Sequence, residues 1–382
     1  MDPRLARAAA ALLFVVGCTP EQPLPGPAFP TVAVSTYIES EHAAQRLVGL
    51  GVGVVQDGRT TFLGGYGWAD EQAKVPFDPR VTRVRWASVS KTLTGVMAMR
   101  AVEAGRLDLD ADIRAWLPVW PEGRGTTTRL LLTHLAGVMT YDDGAVDPWP
   151  PVEQLHDPAV NTGFAWALDR WIAAPLVRTP GSDFGYSTLG FNLAGTVIGA
   201  AYGAGEGAAP DAVFLSMVED ALRGTRAAGI VPDRTVAPGP DRATGYLLLE
   251  DGSVAVTGEK DVSWKAPGGG FISTVEQLAA YCELVAGDLL TVESRRAMWT
   301  APVLADGSTS YYGLGWGVGG RDDRPRVEHN GVQEKAQTRI VLYPNERFCV
   351  VAMTNTDTAS ARYPIDLTRI TEGVEDRVRA AR

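Results

Sequence analysis

Between residues 48 and 54, Val48, Leu50, Val52 and Val54 alternate with Gly49, Gly51 and Gly53. Residues two apart on a strand share a face, so the segment predicts a strand with one aliphatic face and one bare face onto which another element can pack closely. Asp57-Gly58 turns the chain into Thr60-Thr61-Phe62-Leu63 and completes a hairpin. A second hairpin is expected near the far end, where 338–343 and 348–353 flank Pro344, Asn345 and Glu346. Two antiparallel hairpins separated by most of the chain are expected to share one sheet. Helices are expected over 32–47, over 88–104 with Gly105 as the stop, and over 365–380. Ser273-Thr274-Val275-Glu276 reads as a capping box opening a further helix that Gly287 closes. The interval 116–264 is rich in Pro, Gly and Asp, with helical pieces at 164–174 and 191–201. The expected fold class is therefore α/β (α+β): an antiparallel sheet flanked by helices, with a body over about 31–115 and 265–375 and an inserted, mostly helical region over about 116–264.

The chain has 382 residues, 45% of them hydrophobic, enough for a large core. A formal net charge of -10 argues against a nucleic-acid partner, because phosphate binding needs a concentrated basic surface. Arg4 and Arg7, an apolar stretch over 8–16 too short to span a bilayer, and Val15-Val16-Gly17-Cys18 read as an export signal ending in a lipobox-like sequence. Residues 1–18 are expected to be a lipoprotein signal peptide with Cys18 lipidated; the alternative is an ordinary signal peptide cut near Gly17. Residues 19–30 carry five prolines and are expected to form an extended tether without packed structure. The protein is thus expected in the bacterial cell envelope, in the periplasm or at the outer surface, touching the membrane through its N-terminal lipid only. The sequence leaves the oligomeric state open. Cys282 in a helix and Cys349 in a strand are expected to be buried free thiols, although an oxidising compartment would permit a disulfide.

Ser88-Val89-Ser90-Lys91 places a hydroxyl and an amine at i and i+3, on one face of a helical start. A serine is a poor nucleophile until a neighbour takes its proton. Lys91 can do so if burial and the positive helix end favour its neutral form. About one such tetrad is expected by chance in a chain this long. Here, however, Lys and Arg total 35 and only five of these are Lys, leaving 30 Arg by subtraction. Arg could not serve as a base. Tyr186-Ser187-Thr188 follows a Pro180-Gly181 turn, and a phenol near a cationic amine can have a depressed pKa and shuttle protons. His329-Asn330-Gly331 ends an expected strand; imidazole can donate to a substrate carboxylate or carbonyl, and Gly331 would let the substrate backbone lie close. No serine sits in a G-x-S-x-G elbow. His42, His134, His156 and His329 are scattered, with no H-E-x-x-H, so no metal and no cofactor are expected.

In chain order these pieces resemble the serine β-lactamase and penicillin-binding protein family, in particular the group of class C β-lactamases, DD-peptidases, D-aminopeptidases and β-lactamase-like esterases. The matching segments are Arg85 through Lys91, Leu131 through Gly137, Pro180 through Asn192, Ala266 through Gly270, Tyr312 through Trp316, and Ala352 through Asn355, covering most of 31–360. The resemblance implies a β-lactamase/transpeptidase-like fold with Ser88 as acylated nucleophile, Lys91 as proton acceptor and Tyr186 as general acid/base. It puts His329 at the third motif and the oxyanion hole at the backbone N–H groups of Ser88 and Val332. Three departures follow. Thr188 stands where the family usually has Asn, His329 where true β-lactamases of this group have lysine, and Val332-Gln333-Glu334-Lys335 where relatives often carry glycines. The expected function is a serine hydrolase of a small ester or a D-amino-acid-containing peptide or amide. The alternatives are a β-lactamase and a penicillin-binding-like sensor that acylates without turnover. His134 reads as a structural turn residue, and Trp316 as either pocket wall or core.

Overall fold

The computed structural model describes residues 29–140, 156–157, 163–203, 207–234 and 241–381. The signal peptide, Cys18 and the tether up to residue 28 lie outside the described residues. The last two tether positions are packed rather than free: the Phe29 ring stacks on Phe62 at 5.2 Å, and Pro30 precedes helix α1 (Thr31–Ala44).

The two hairpins share a seven-stranded antiparallel sheet of order β3-β2-β1-β12-β11-β10-β9. Its strands are β1 (Gly49–Gln56), β2 (Arg59–Asp70), β3 (Val75–Pro76), β9 (Gly317–Arg321), β10 (Arg324–Gln333), β11 (Ala336–Tyr343) and β12 (Phe348–Thr354). The chain ends meet at its centre, where β1 pairs with β12 from Leu50↔Thr354 to Val55↔Cys349. Leu50, Val52 and Val54 join Val341 and Val350 in a core against Val34 and Ile38 of α1 and Ile370 and Val374 of the last helix, Leu367–Ala380. Each of these fully buried aliphatic residues contributes about 1.5–3 kcal/mol.

The bare face of β1 receives the helix Val275–Ala286. A Cβ on Gly51 would overlap the Val275 and Phe77 side chains, and one on Gly53 would stand 3.3 Å from the Ala279 Cβ. This close approach sets the Cα atoms of Cys282 and Cys349 6.5 Å apart, and the two residues are joined in a disulfide rather than left as free thiols. The capping box of this helix is shifted one residue from the expected register: Thr274 caps the Gln277 N–H and Gln277 caps Thr274 in return. The Ser273 hydroxyl instead accepts from the Trp86 indole at 2.7 Å.

The interval 116–264 departs further from expectation. Its first helical piece is α-helical only over Phe164–Leu168. The reason is local: the Arg124 guanidinium takes the carbonyls of Ile172, Ala173 and Ala174, and Trp171 turns edge-on to Trp120. The second piece is longer than expected, Thr188–Tyr202, and is followed by a helix at Pro210–Leu222. A hairpin of β6 (Tyr246–Leu248) and β7 (Val254–Val256) also lies here, and β6 runs parallel to β13 (Thr356–Thr358). Among the described residues no helix is long and apolar enough to cross a membrane.

Candidate active site

Ser88 does not open the α-helix itself. It occupies a single 3-10 turn, Ala87–Val89, that runs into α2 (Ser90–Glu103). The turn is pinned from both sides, since the Trp86 N–H donates to the Phe271 carbonyl at 2.9 Å and the Thr338 hydroxyl donates to the Arg85 carbonyl at 2.8 Å. Ala87 takes φ of +47°, a conformation that non-glycine residues hold only where their surroundings impose it. The strained residue therefore sits directly before the candidate nucleophile.

Lys91 Nζ lies 3.1 Å from Ser88 Oγ, 3.2 Å from Thr188 Oγ1 and 2.5 Å from the Gly268 carbonyl oxygen. The residue is fully buried, and no carboxylate stands among these partners. Burial, reinforced by the charge of Lys265, holds its pKa well below the ordinary lysine range. Thr188, at the first turn of its helix with Ser187 as N-cap, is bound to the lysine.

Tyr186 lines the pocket together with Ser88, and Lys91 Nζ stands 4.7 Å from its ring centroid. The expected depression of its pKa is not found. Burial of the phenol pushes it up to about 12, partly opposed by the nearby Ser88 hydroxyl. The physical reason is that the nearby amine favours its own neutral form and so supplies little positive charge to hold a phenolate. Tyr186 as a residue is 40% exposed, and it lines the pocket.

His329 is buried, and its two ring nitrogens are both engaged: Nδ1 lies 2.7 Å from the Asn330 carbonyl oxygen and Nε2 lies 2.6 Å from the Tyr312 hydroxyl. A carbonyl only accepts, so Nδ1 carries the proton. Burial, with the charges of Lys91 and Arg339, lowers the imidazole to about 3, and the ring is neutral. Nε2 therefore accepts from Tyr312, and the expectation of an imidazole donor to substrate is corrected. Gly331 also serves a different end from the one expected. A Cβ there would run into the Trp86 carbonyl oxygen and stand 3.1 Å from the Ser88 nitrogen, so the glycine lets β10 press against the protein's own Ser88 turn. Val332, the next residue, is 60% exposed. β9 pairs with β10 only as far as Glu328, and β10 continues past it with His329 through Gln333.

Ser88, Tyr186, His329 and Val332 thus line one open pocket of about 380 Å³, with Tyr311 and Tyr312 completing an aromatic wall. Lys91 and Thr188 lie beneath it. The sequence had placed Tyr312 in a family-like segment without giving it a part in the site; the Tyr311-Tyr312 pair before Gly313 was the available signal. Trp316 is core: it is fully buried and packs edge-on to Trp299 at 6.2 Å.

Sequence comparison finds the human mitochondrial protein "Serine beta-lactamase-like protein LACTB", 25% identical over 387 residues, covering 78% of this chain and 69% of that protein. Among solved structures, a penicillin-binding protein from Bacillus halodurans superposes with a TM-score of 0.70 at 23% identity, over 91% of this chain and 98% of the other. The D-amino acid amidase from Ochrobactrum anthropi SV3, solved with L-phenylalanine amide, gives a TM-score of 0.70 at 20% identity over 92% and 97%. These structural likenesses establish the fold, a β-lactamase/transpeptidase-like one. The family profile described as Beta-lactamase matches residues 34–375, a span that includes every residue of the pocket, and the chain belongs to that family.

Proposed function

We propose that this protein is a serine hydrolase that forms an acyl-enzyme on a small uncharged ester or amide, with Ser88 as nucleophile, Lys91 as its base and Tyr186 as general acid/base. The observation that carries the reading is the 3.1 Å approach of Ser88 Oγ to a lysine amine that is fully buried without a counter-charge. A neutral amine has a lone pair, and the Ser88 hydroxyl can donate its proton into it as the oxygen attacks the substrate carbonyl carbon. The new oxyanion is assigned to the N–H groups of Ser88 and Val332, a reading supported by the close approach of Gly331, the residue before Val332, to the Ser88 turn. As the carbon–oxygen or carbon–nitrogen bond breaks, Tyr186 gives its proton to the leaving group and takes one back from the protonated Lys91, because the acylated Ser88 Oγ has none to pass on. Water then adds to the acyl-enzyme by the reverse proton path. With its phenol near 12, Tyr186 stays protonated and suited to the acid role at neutral pH.

A neutral amide or ester is favoured over a β-lactam because the position given to a lysine in true β-lactamases holds a neutral His329. The structural neighbour with a D-amino acid amide-cleaving name supports the amide end of this range.

The test is steady-state and burst kinetics with p-nitrophenyl acetate. Ser88→Ala and Lys91→Arg are each expected to lower turnover by at least about a thousandfold. The wild type should lose activity as pH falls through the Lys91 pKa, because the base must be unprotonated. His329 titrates at about 3 and Tyr186 at about 12, so neither adds a limb between pH 5 and 9. An acylation burst without continued product release would instead favour the sensor reading, and wild-type turnover equal to that of Ser88→Ala would sink both.

A further inference from the structure

The pocket holds a second phenol that the mechanism above does not use. Tyr312 is 4% exposed and lines the same pocket as Ser88. Its hydroxyl is the only proton available for the 2.6 Å contact with His329 Nε2, because the other imidazole nitrogen is fixed as a donor by the Asn330 carbonyl at 2.7 Å. A phenol whose proton is committed to a partner can offer anything else only its oxygen lone pairs. Tyr312 and Tyr186 pack against the same His134 ring, at centroid distances of 4.8 and 4.3 Å, so the two phenols are neighbours in the wall of the pocket that Ser88 lines, and Tyr186 is the group assigned to the leaving group. Nearby cations do not offset this acceptor character. Arg339 is bound by Glu328, Asn330 and Thr371, and Lys91 lies beneath the serine with its own partners.

We infer that the Tyr312–His329 pair forms a specificity subsite that accepts a hydrogen bond from a neutral N–H on the leaving-group side of the substrate, as in a primary carboxamide, and disfavours a carboxylate there. At Tyr312 a carboxylate would face only lone pairs and lose hydration there, whereas an amide N–H replaces a water hydrogen bond with one to Tyr312. Within the proposed reading of the site, this names the substrate class as amides in preference to substrates with a free terminal carboxylate. The inference rests on that reading, but its test does not require turnover.

The experiment is calorimetric titration of the full chain carrying Ser88→Ala, with and without Tyr312→Phe, using N-acetyl-D-phenylalaninamide, its methyl ester and the corresponding free acid. In Ser88→Ala the amide is expected to bind at least about tenfold more tightly than the free acid, one hydrogen bond's worth of discrimination. Tyr312→Phe keeps the ring and removes the oxygen. It is expected to weaken the amide about five- to tenfold and to leave the methyl ester, which has no donor at that position, within about twofold. Free acid binding as well as the amide, loss of amide and ester affinity together, or no binding of the amide at all overturns the subsite. The p-nitrophenyl acetate assay on wild type decides the hydrolase reading separately, so failure of one is not mistaken for failure of the other.

Discussion

His134 holds the Tyr186 segment from three sides. Its carbonyl accepts from the Gly185 N–H at 2.9 Å, its Nδ1 accepts from the Ser187 N–H at 3.0 Å, and its ring lies 4.3 Å from that of Tyr186. Read from sequence it is a turn residue, and it does sit at φ of +60°, but its side chain makes it a positioning residue for the phenol. Accepting at Nδ1 puts the proton on Nε2, for which no hydrogen-bond partner stands among the described residues. Burial and the charge of Lys91 lower its pKa well below the ordinary histidine value, which keeps Nδ1 an acceptor. His134→Asn retains an acceptor oxygen and tolerates the left-handed backbone. His134→Leu leaves the Ser187 N–H buried and unpaired, which costs about 1–3 kcal/mol. The expected result on an activated ester is a kcat loss of about 10- to 100-fold for His134→Leu with KM nearly unchanged, and less than about fivefold for His134→Asn. Equal losses in the two variants would remove the acceptor from the account. Lys91 and Ser88 were legible because i and i+3 share a helical face whatever surrounds them. The protonation of His329 and Tyr186 was not, because it depends on groups brought from 17 residues away and more.

At the scale of elements, two bare strand faces do different work. Gly51 on β1 admits the helix Val275–Ala286, and Gly331 on β10 admits the Ser88 turn. The obstacle to a methyl group at Gly51 is side chain, Val275 and Phe77, which can shift at a cost. At Gly331 it is backbone, the Trp86 carbonyl, which cannot yield without moving the turn. Gly51→Ala should therefore lower stability by about 1–3 kcal/mol, seen as a drop in the urea midpoint at constant m, with kcat largely kept. Gly331→Ala should lower kcat by about 100-fold or more, because it separates Val332 from Ser88. If Gly331→Ala is as active as wild type, the oxyanion assignment is lost. The alternation of Gly with Leu and Val announces a bare face, but not its occupant. The partner helix begins more than 200 residues later in the chain, and local pattern carries no information at that distance.

For the whole molecule, closing the chain ends into one sheet makes the fold depend on contacts of very large sequence separation, foremost β1 with β12. The Cys282–Cys349 disulfide braces this closure by tying the helix behind β1 to β12 across a separation of 67 residues. In a chain-entropy account, a loop of that size stabilises the fold by about 4 kcal/mol through restriction of the unfolded state. Reduction, or Cys349→Ala, is expected to lower the unfolding free energy by about that amount or less, measured as the difference in urea midpoints with and without reductant. An unchanged midpoint would show that the cross-link adds nothing to stability.

The sequence by itself determined the two hairpins, the Ser88–Lys91 pair and the resemblance to the β-lactamase family, because each is written in local periodicity, i,i+3 spacing or ordered motifs. Tertiary structure alone decided that Thr188 serves Lys91, that Gly331 makes room for protein rather than ligand, that His329 accepts instead of donating, and that the two cysteines are bonded. Each of those outcomes turns on burial and on partners distant in the chain, and no single segment encodes either.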